Sequence, residues 1–280
     1  MNRIPTRFAM ITLALLASSQ AFGAELTVVP ADLNGGGLNQ WNLSNYRDVS
    51  TGYSSTTTAG ITTANPRGGN GSVQMSSTDS SGKADYAYTW GFIAGRTLGN
   101  LTAASFDWYK SGTSSASVFA PAMRLSYDAD GNPATTLDRG YLIFEQVYNP
   151  NAASVLSDQW ISSDLMTSNL WQRQFSPGFT VESYGVSMND WKSGANQPAN
   201  ADALGASTAI LGIEFGIGSG WSGMFNGFVD NVSFGFGGNV TTFNFEAAQV
   251  AVVPEPGGIA LLGLGMFGLL AAGRRKASRA

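Results

Sequence analysis

The sequence predicts an all-β fold, a two-layer antiparallel β-sandwich, held between two terminal segments of a different kind. Three observations carry this. Period-two alternation of apolar and polar residues recurs through residues 25–250, bounded each time by Gly, Asn or Ser, which is the pattern of half-buried strands. Helical periodicity is scarce, and a chain with 35 Gly and abundant Ser and Thr favours turns and extended backbone over helix. Between Leu26 and Phe245 no Pro-rich linker is long enough to mark a domain boundary, so the strands belong to one sandwich, of jelly-roll type.

Taken in order, short strands are expected near 26–29 and 72–76. Between them TGYSSTTTAGITTANPRGGNG, residues 51–71, reads as a polar loop or ragged edge. Ala84, Tyr86, Tyr88, Trp90 and Phe92 share one strand face, with Asp85, Thr89 and Gly91 on the other. Phe106 and Trp108 alternate with Asp107; Met123, Leu125 and Tyr127 alternate with Arg124 and Ser126. Residues 141–144 (YLIF) are apolar on both faces and suggest a central strand. A short strand follows near 179–186, then a turn or two of helix within 187–205. Leu211, Ile213, Phe215 and Ile217 make one face, with Glu214 opposite. In FNGFVDNVSFGF the alternation places Phe228, Asp230, Val232, Phe234 and Phe236 on one face, and Val229, Asn231, Ser233 and Gly235 on the other. Phe243 and Phe245 close the domain, giving about ten or eleven strands.

Composition removes several function classes. With no Cys and no His, there is no disulfide, no thiol nucleophile, no Ser-His-Asp triad and no facial iron triad. Chemistry is left to carboxylates, Lys, Tyr, Ser or a bound cation. The net charge of −4 hides an acidic body: residues 25–252 hold nine Lys and Arg against 18 Asp and Glu, or −9. Such a body repels phosphate backbones, so no nucleic-acid partner is expected.

The two ends read as addresses. Residues 1–23 have a basic start (Arg3, Arg7), an apolar stretch from Phe8 to Ala17, and small residues at Ala21 and Gly23. This is the pattern of a secretory signal peptide cut before Ala24, with a cut after Ala21 as a second option. The apolar core is short for an N-terminal membrane anchor, which is the alternative. At the other end, residues 247–256 form a linker, and residues 257–273 carry no charge. These 17 residues span about 25 Å as a helix, at the short limit for crossing a bilayer. Arg274, Arg275 and Lys276 open the basic tail 274–280; they would stop transfer and hold the C-terminus in the cytoplasm, leaving the body outside the inner membrane. Gly263, Gly265 and Gly268 weaken this helix, as suits a temporary tether.

Pro254-Glu255-Pro256, then a short Gly/Leu-rich span, then an Arg-rich end, resembles a PEP-CTERM sorting signal. The resemblance implies export in a polysaccharide-producing Gram-negative bacterium, transient anchoring, and cleavage near the tripeptide by an exosortase, a membrane cysteine protease. An ordinary single-pass anchor with a periplasmic domain is the plainer alternative. More loosely, GYLIFEQVYN, GIGSGW and FVDNVSFGF resemble extracellular domains found with this tail, which look like jelly-roll or concanavalin-like lectin and carbohydrate-module sandwiches. In such modules an Asp on the final strand often ligates a structural calcium, a role the resemblance implies for Asp230. A carboxylate on an apolar face must otherwise be protonated or paired, for example by accepting backbone N–H bonds at the strand's entrance.

YDADGNPATTLDRG offers a second calcium candidate. Asp128, Asp130, Asn132 and Asp138 are hard oxygen ligands, but Gly131 comes fourth where an EF-hand loop wants Gly sixth, and the closing Glu is missing. Asp-Gly-Asn-Pro between two strands is first of all a turn. Trp160, Trp171, Trp191 and Trp221 lie in polar, turn-rich sequence and are candidates for stacking on sugar rings; core packing is the competing role for each, and Trp90 and Trp108 follow the core alternation. The expected function is a non-enzymatic exported protein of the cell surface or extracellular matrix, structural or adhesive, with weak binding to extracellular polysaccharide. The alternative is a carbohydrate-active hydrolase with a carboxylate pair, for which Glu145 and Glu214 stand on strands; no Glu-x-Asp-x-x-Glu string occurs.

Overall fold

The computed structural model describes residues 23–248 except 116, 151–154, 177–179, 182–183, 199–201, 219–220 and 222. The leader up to residue 22 lies outside the described residues, as do Pro254, Glu255, Pro256, the 257–273 span and the Arg274, Arg275 and Lys276 cluster. Among the described residues, fourteen strands and one short helix, α1 (Met188–Ser193), form two seven-stranded sheets packed face to face.

The first sheet is organised on β13 (Phe225–Phe236), its longest strand. Along one edge β13 pairs with β6 (Leu101–Lys110), which in turn pairs with β9 (Trp160–Asp164). Along its other edge it changes partner. Its first half pairs with β4 (Ser72–Ser77) and, beyond that, β3 (Thr57–Thr62); its second half pairs with β14 (Asn239–Phe245) and then β1 (Ala24–Val28). The β1–β14 pair is parallel, the exception among the described strand pairs. The second sheet runs β11 (Thr180–Val181), β10 (Trp171–Gln174), β8 (Arg139–Phe144), β7 (Ala122–Asp128), β12 (Ala209–Ile217), β5 (Lys83–Thr89), β2 (Trp41–Arg47).

Local chemistry explains the connections. β13 and β14 join through Gly237-Gly238, both at positive φ (57° and 87°), with Phe236 paired to Asn239. That is a two-residue hairpin whose left-handed backbone only Gly adopts without cost. Ser187 caps α1 by accepting from the Asp190 N–H, and Gly194 ends it in the left-handed region. The 51–71 stretch holds β3, so a portion of the expected loop is an edge strand; its Ala59 and Ile61 pack on the core while the other side chains are small and polar, which hides the alternation.

The core is aromatic. Trp41 sits at its centre, 2% exposed, with the rings of Phe215, Phe243, Phe245 and Tyr88 at 5.1–5.4 Å. Burying side chains of this size stabilises the fold by about 1.5–3 kcal/mol each. Phe92 departs from the strand alternation: β5 ends at Thr89, and Phe92 is exposed on the following loop with the Arg139 guanidinium 5.4 Å from its ring.

The even alternation expected through 225–236 is broken by a β-bulge. Opposite β6, the register steps from Asp230↔Asp107 to Ser233↔Ser105, three residues of β13 against two of β6. Asn231 takes a left-handed φ of 49° at this point. Val229 before the bulge and Val232 and Phe234 after it therefore face the core, while Phe228 and Asp230 lie on the outer face beside Tyr109 and Asp107. Asp230 is fully buried all the same. Residues 67–70 cross over it: Arg67 pairs with Asp107 at 2.9 Å and the Asn70 N–H donates to Glu246 at 2.5 Å.

Candidate functional site

The outer face of the second sheet gathers the polar and aromatic groups that the core does not use. Residues paired across a ladder point to the same side. One row reads Trp171, Ile143, Arg124, Glu214 across β10, β8, β7 and β12; the next reads Arg173, Tyr141, Ser126, Gly212. Asp85 of β5 pairs with Gly216 and Ser44 of β2 in the adjoining row. Gly216 is required there, since a Cβ would lie 2.0 Å from Asp85 Oδ1.

The floor of this face is a closed charge network. One nitrogen of the Arg124 guanidinium donates to Asp85 at 2.8 Å and to Glu214 at 2.7 Å. The second Asp85 oxygen accepts from Lys83 and from the Asn45 amide, both at 3.0 Å. The second Glu214 oxygen accepts from Ser44 at 3.2 Å and Tyr141 at 3.3 Å. Two cations meet two carboxylates with every carboxylate oxygen bonded, which is the condition for keeping such groups buried. Burial works against the Arg124 charge, but the Asp85 and Glu214 carboxylates outweigh it and hold the guanidinium protonated. Burial pushes Glu214 above the usual carboxylate range despite Arg124.

Beside the floor stands an aromatic rim. Trp171 is half-buried and its indole N–H donates to Glu145 at 3.1 Å. Tyr184 lies 6.2 Å from Trp171 and stacks on Tyr148 at 3.8 Å; Phe175, 48% exposed, packs edge-on against Tyr141 at 4.8 Å. Burial pushes the Glu145 carboxyl up as well, while Arg124 and the Trp171 N–H act against that. A flat ring next to hydrogen-bonding side chains is the arrangement that accepts a pyranose, whose C–H face stacks on an aromatic ring while its hydroxyls bond at the edge.

The other Trp candidates fall elsewhere. Trp191 is a core residue: it is fully buried on α1, and its N–H donates to the Leu170 carbonyl at 3.1 Å. Trp221 is also core, 6% exposed, with its ring parallel to Phe119 at 5.2 Å and Phe225 at 4.9 Å. Neither can stack on a ligand, because turn-rich flanking sequence does not report that the ring itself points inward. Trp160 is half-buried on the outer face of the first sheet, 5.8 Å from Tyr109 and with Arg67 5.9 Å from its ring.

The acidic loop after β7 brings Asp128, Asp130 and Asp138 together, with one oxygen of each within 4.8 Å of the others. Asp128 is buried and accepts from Arg139 Nε at 2.9 Å and from the Asn132 N–H at 3.1 Å. Asn132 thus turns its backbone N–H to the cluster, while its side-chain oxygen accepts from Ala134. Asp138 Oδ1 is buried with no partner. Asp128, Asp130 and Asp138 are the residues here that could hold a hard cation such as Ca²⁺, and Arg139 already supplies one positive charge to the cluster. The loop also borders a cleft of about 970 Å³ lined by Thr135, Leu137, Gln174 and Asp202.

Asp230 keeps other company. Its Oδ1 accepts the backbone N–H of Asn231 at 2.7 Å and of Phe245 at 2.8 Å; its Oδ2 is buried without a partner. Burial pushes this carboxyl up to about 7, the two N–H bonds acting against it. Among the described residues no trio of acidic ligand atoms includes Asp230.

Residues 252–276 match the PEP-CTERM protein-sorting motif. The chain carries a PEP-CTERM sorting signal. The PEP-CTERM match takes in Pro254-Glu255-Pro256, the apolar span and Arg274, Arg275 and Lys276, and it implies export, a stage held at the membrane, and processing by an exosortase. No curated protein matches the chain. Among solved structures, the chain is similar to a carbohydrate-binding module studied for promiscuous specificity in the β-sandwich superfamily, at 14% identity and TM-score 0.34 over 71% of this chain; it spans 58% of the length of that structure. It is similar also to the family 11 carbohydrate-binding module of Clostridium thermocellum in complex with a β-1,3-1,4-mixed-linked tetrasaccharide, at 13% identity and TM-score 0.34 over 76% of this chain and 93% of the other.

Proposed function

We propose that this is a non-enzymatic binding protein of the cell surface or extracellular matrix, released there by exosortase cleavage, that holds polysaccharide weakly against the outer face of its second sheet. The observation that carries the reading is the half-buried Trp171 ring beside Glu145 and Tyr184, next to a floor whose charges are already satisfied. A floor of that kind positions a neutral ligand without demanding a counter-ion. A structural or adhesive role fits repeated, weak contacts of this sort, which gain strength by multivalency. A cation in the Asp128, Asp130 and Asp138 loop would stiffen the β7–β8 connection at the end of the same sheet.

The alternative is a hydrolase using Glu145 and Glu214. Glu214 stands on the outer face of the second sheet, whereas Glu145, expected on a strand, follows the end of β8 and caps the next turn; burial raises both carboxyls. Against it, both Glu214 oxygens already accept from protein donors, one from Arg124 and the other from Ser44 and Tyr141. A glycan array together with a reducing-sugar assay on the mature protein tests the choice. Binding without released sugar is the expected result. Sugar release that vanishes in Glu145→Gln or Glu214→Gln establishes the hydrolase instead.

A further inference from the structure

Arg96 is a cation without an anion among the described residues. Four other basic side chains, Arg67, Lys83, Arg124 and Arg139, each reach a carboxylate within 3.0 Å. Arg96 reaches none there, and its Nη1 is buried with no hydrogen-bond acceptor. Its guanidinium lies over the Trp90 ring at 4.7 Å, with Phe234 at 5.6 Å and Phe236 at 5.8 Å. The rings fix the plane of the guanidinium and exclude water from one side. Burial lowers its pKa from the usual value, and no carboxylate acts on it. The three rings offset part of the cost of burying this charge, and the Nη1 donor is still left without an acceptor.

Arg96 lines a cavity of about 480 Å³ between the 93–100 loop and the β13–β14 hairpin. The same cavity presents Asn100, Asn239 and Thr241. It is too large for a simple ion and within the range that holds a sugar unit. We propose that it binds the carboxylate of an acidic sugar residue, with Arg96 as the counter-ion and Asn100, Asn239 and Thr241 bonding the ring hydroxyls. A planar carboxylate pairs with the fork of a guanidinium through two parallel bonds, which a neutral sugar cannot offer; a phosphate shares that chemistry and is therefore the competing probe. This site lies away from Trp171 and does not depend on the sheet-face reading.

Titration calorimetry on the full-length protein in detergent, with tetragalacturonate, cellotetraose and inorganic phosphate as probes, tests it. Arg96→Gln is expected to raise the Kd for tetragalacturonate at least tenfold and to leave cellotetraose unchanged. Asn239→Asp, a substitution on the exposed hairpin, should place a carboxylate at the pocket and weaken tetragalacturonate to the same degree, which keeps the test open if Arg96→Gln does not fold. Undetectable tetragalacturonate binding, binding unaltered by Asn239→Asp, or displacement by an equal concentration of phosphate would each overturn the proposal. Failure of the sheet-face reading has a separate signature: no neutral glycan of an array binds while tetragalacturonate still does.

Discussion

Asp230 Oδ1 accepts the backbone N–H of Phe245 at 2.8 Å, at the place where β13 leaves β4 and takes up β14. A strand that changes partners leaves a gap in the ladder, and an N–H there has no carbonyl to meet. The carboxyl oxygen fills that gap, and the bulge at Asn231 turns it toward the position.

The pH dependence of stability follows from the same residue. The carboxyl of Asp230 is raised from 3.8 in the unfolded chain to about 7 in the fold, so the folded state holds its proton more tightly. Its contribution is fully present below pH 4 and is lost as pH rises toward 7. Asp230→Asn keeps an acceptor oxygen for Phe245 and removes the titration. Urea unfolding from pH 4 to 8 is expected to show the wild type losing stability relative to Asp230→Asn over that range; parallel curves contradict it.

Removing the centre of the charge network should be far more costly than removing an exposed cation. Arg124→Met leaves Asp85 and Glu214 buried with no guanidinium between them, a change of about 3–5 kcal/mol. Arg173→Met, on the exposed side of β10, should stay within about 0.5 kcal/mol. Denaturant midpoints of the two variants make the comparison.

Calcium should raise the melting temperature through the Asp128, Asp130 and Asp138 loop, since a ligand that binds only the folded state stabilises it by mass action. Excess chelator should lower the transition, and Asp130→Asn should blunt both effects. A transition indifferent to calcium and chelator contradicts the assignment.

Processing predicts a mass. Protein recovered from the cell surface or medium should lack residues 257–280, with its C-terminus near Pro254-Glu255-Pro256. Intact-mass spectrometry of both fractions reads this directly, and retention of the tail in the mature product points to a simple anchor.

The sandwich is legible because burial on one face writes itself as alternation: Ala84 and Tyr86, Phe106 and Trp108, and Met123 and Leu125 all face the core as their spacing indicates. The departures are local. One residue in a left-handed conformation, Asn231, shifts every side chain after it by one position, and nothing in FVDNVSF announces it. β3 stays hidden because an edge strand of small polar residues has little apolar alternation to show. Trp191 and Trp221 mislead because flanking polarity says where a segment lies, not where its ring points. The Arg124 network draws on β2, β5, β7, β8 and β12, and only the strand order brings those residues together.

Paired titrations of Trp171→Ala and Trp160→Ala, using the neutral glycan that the array identifies, test the central claim most directly. The two rings are comparably half-buried and stand on opposite sheets. The outer face of the second sheet as the binding surface predicts at least a tenfold loss of affinity for Trp171→Ala and no change for Trp160→Ala. Equal affinities across the wild type and Trp171→Ala, or a loss confined to Trp160→Ala, would contradict it.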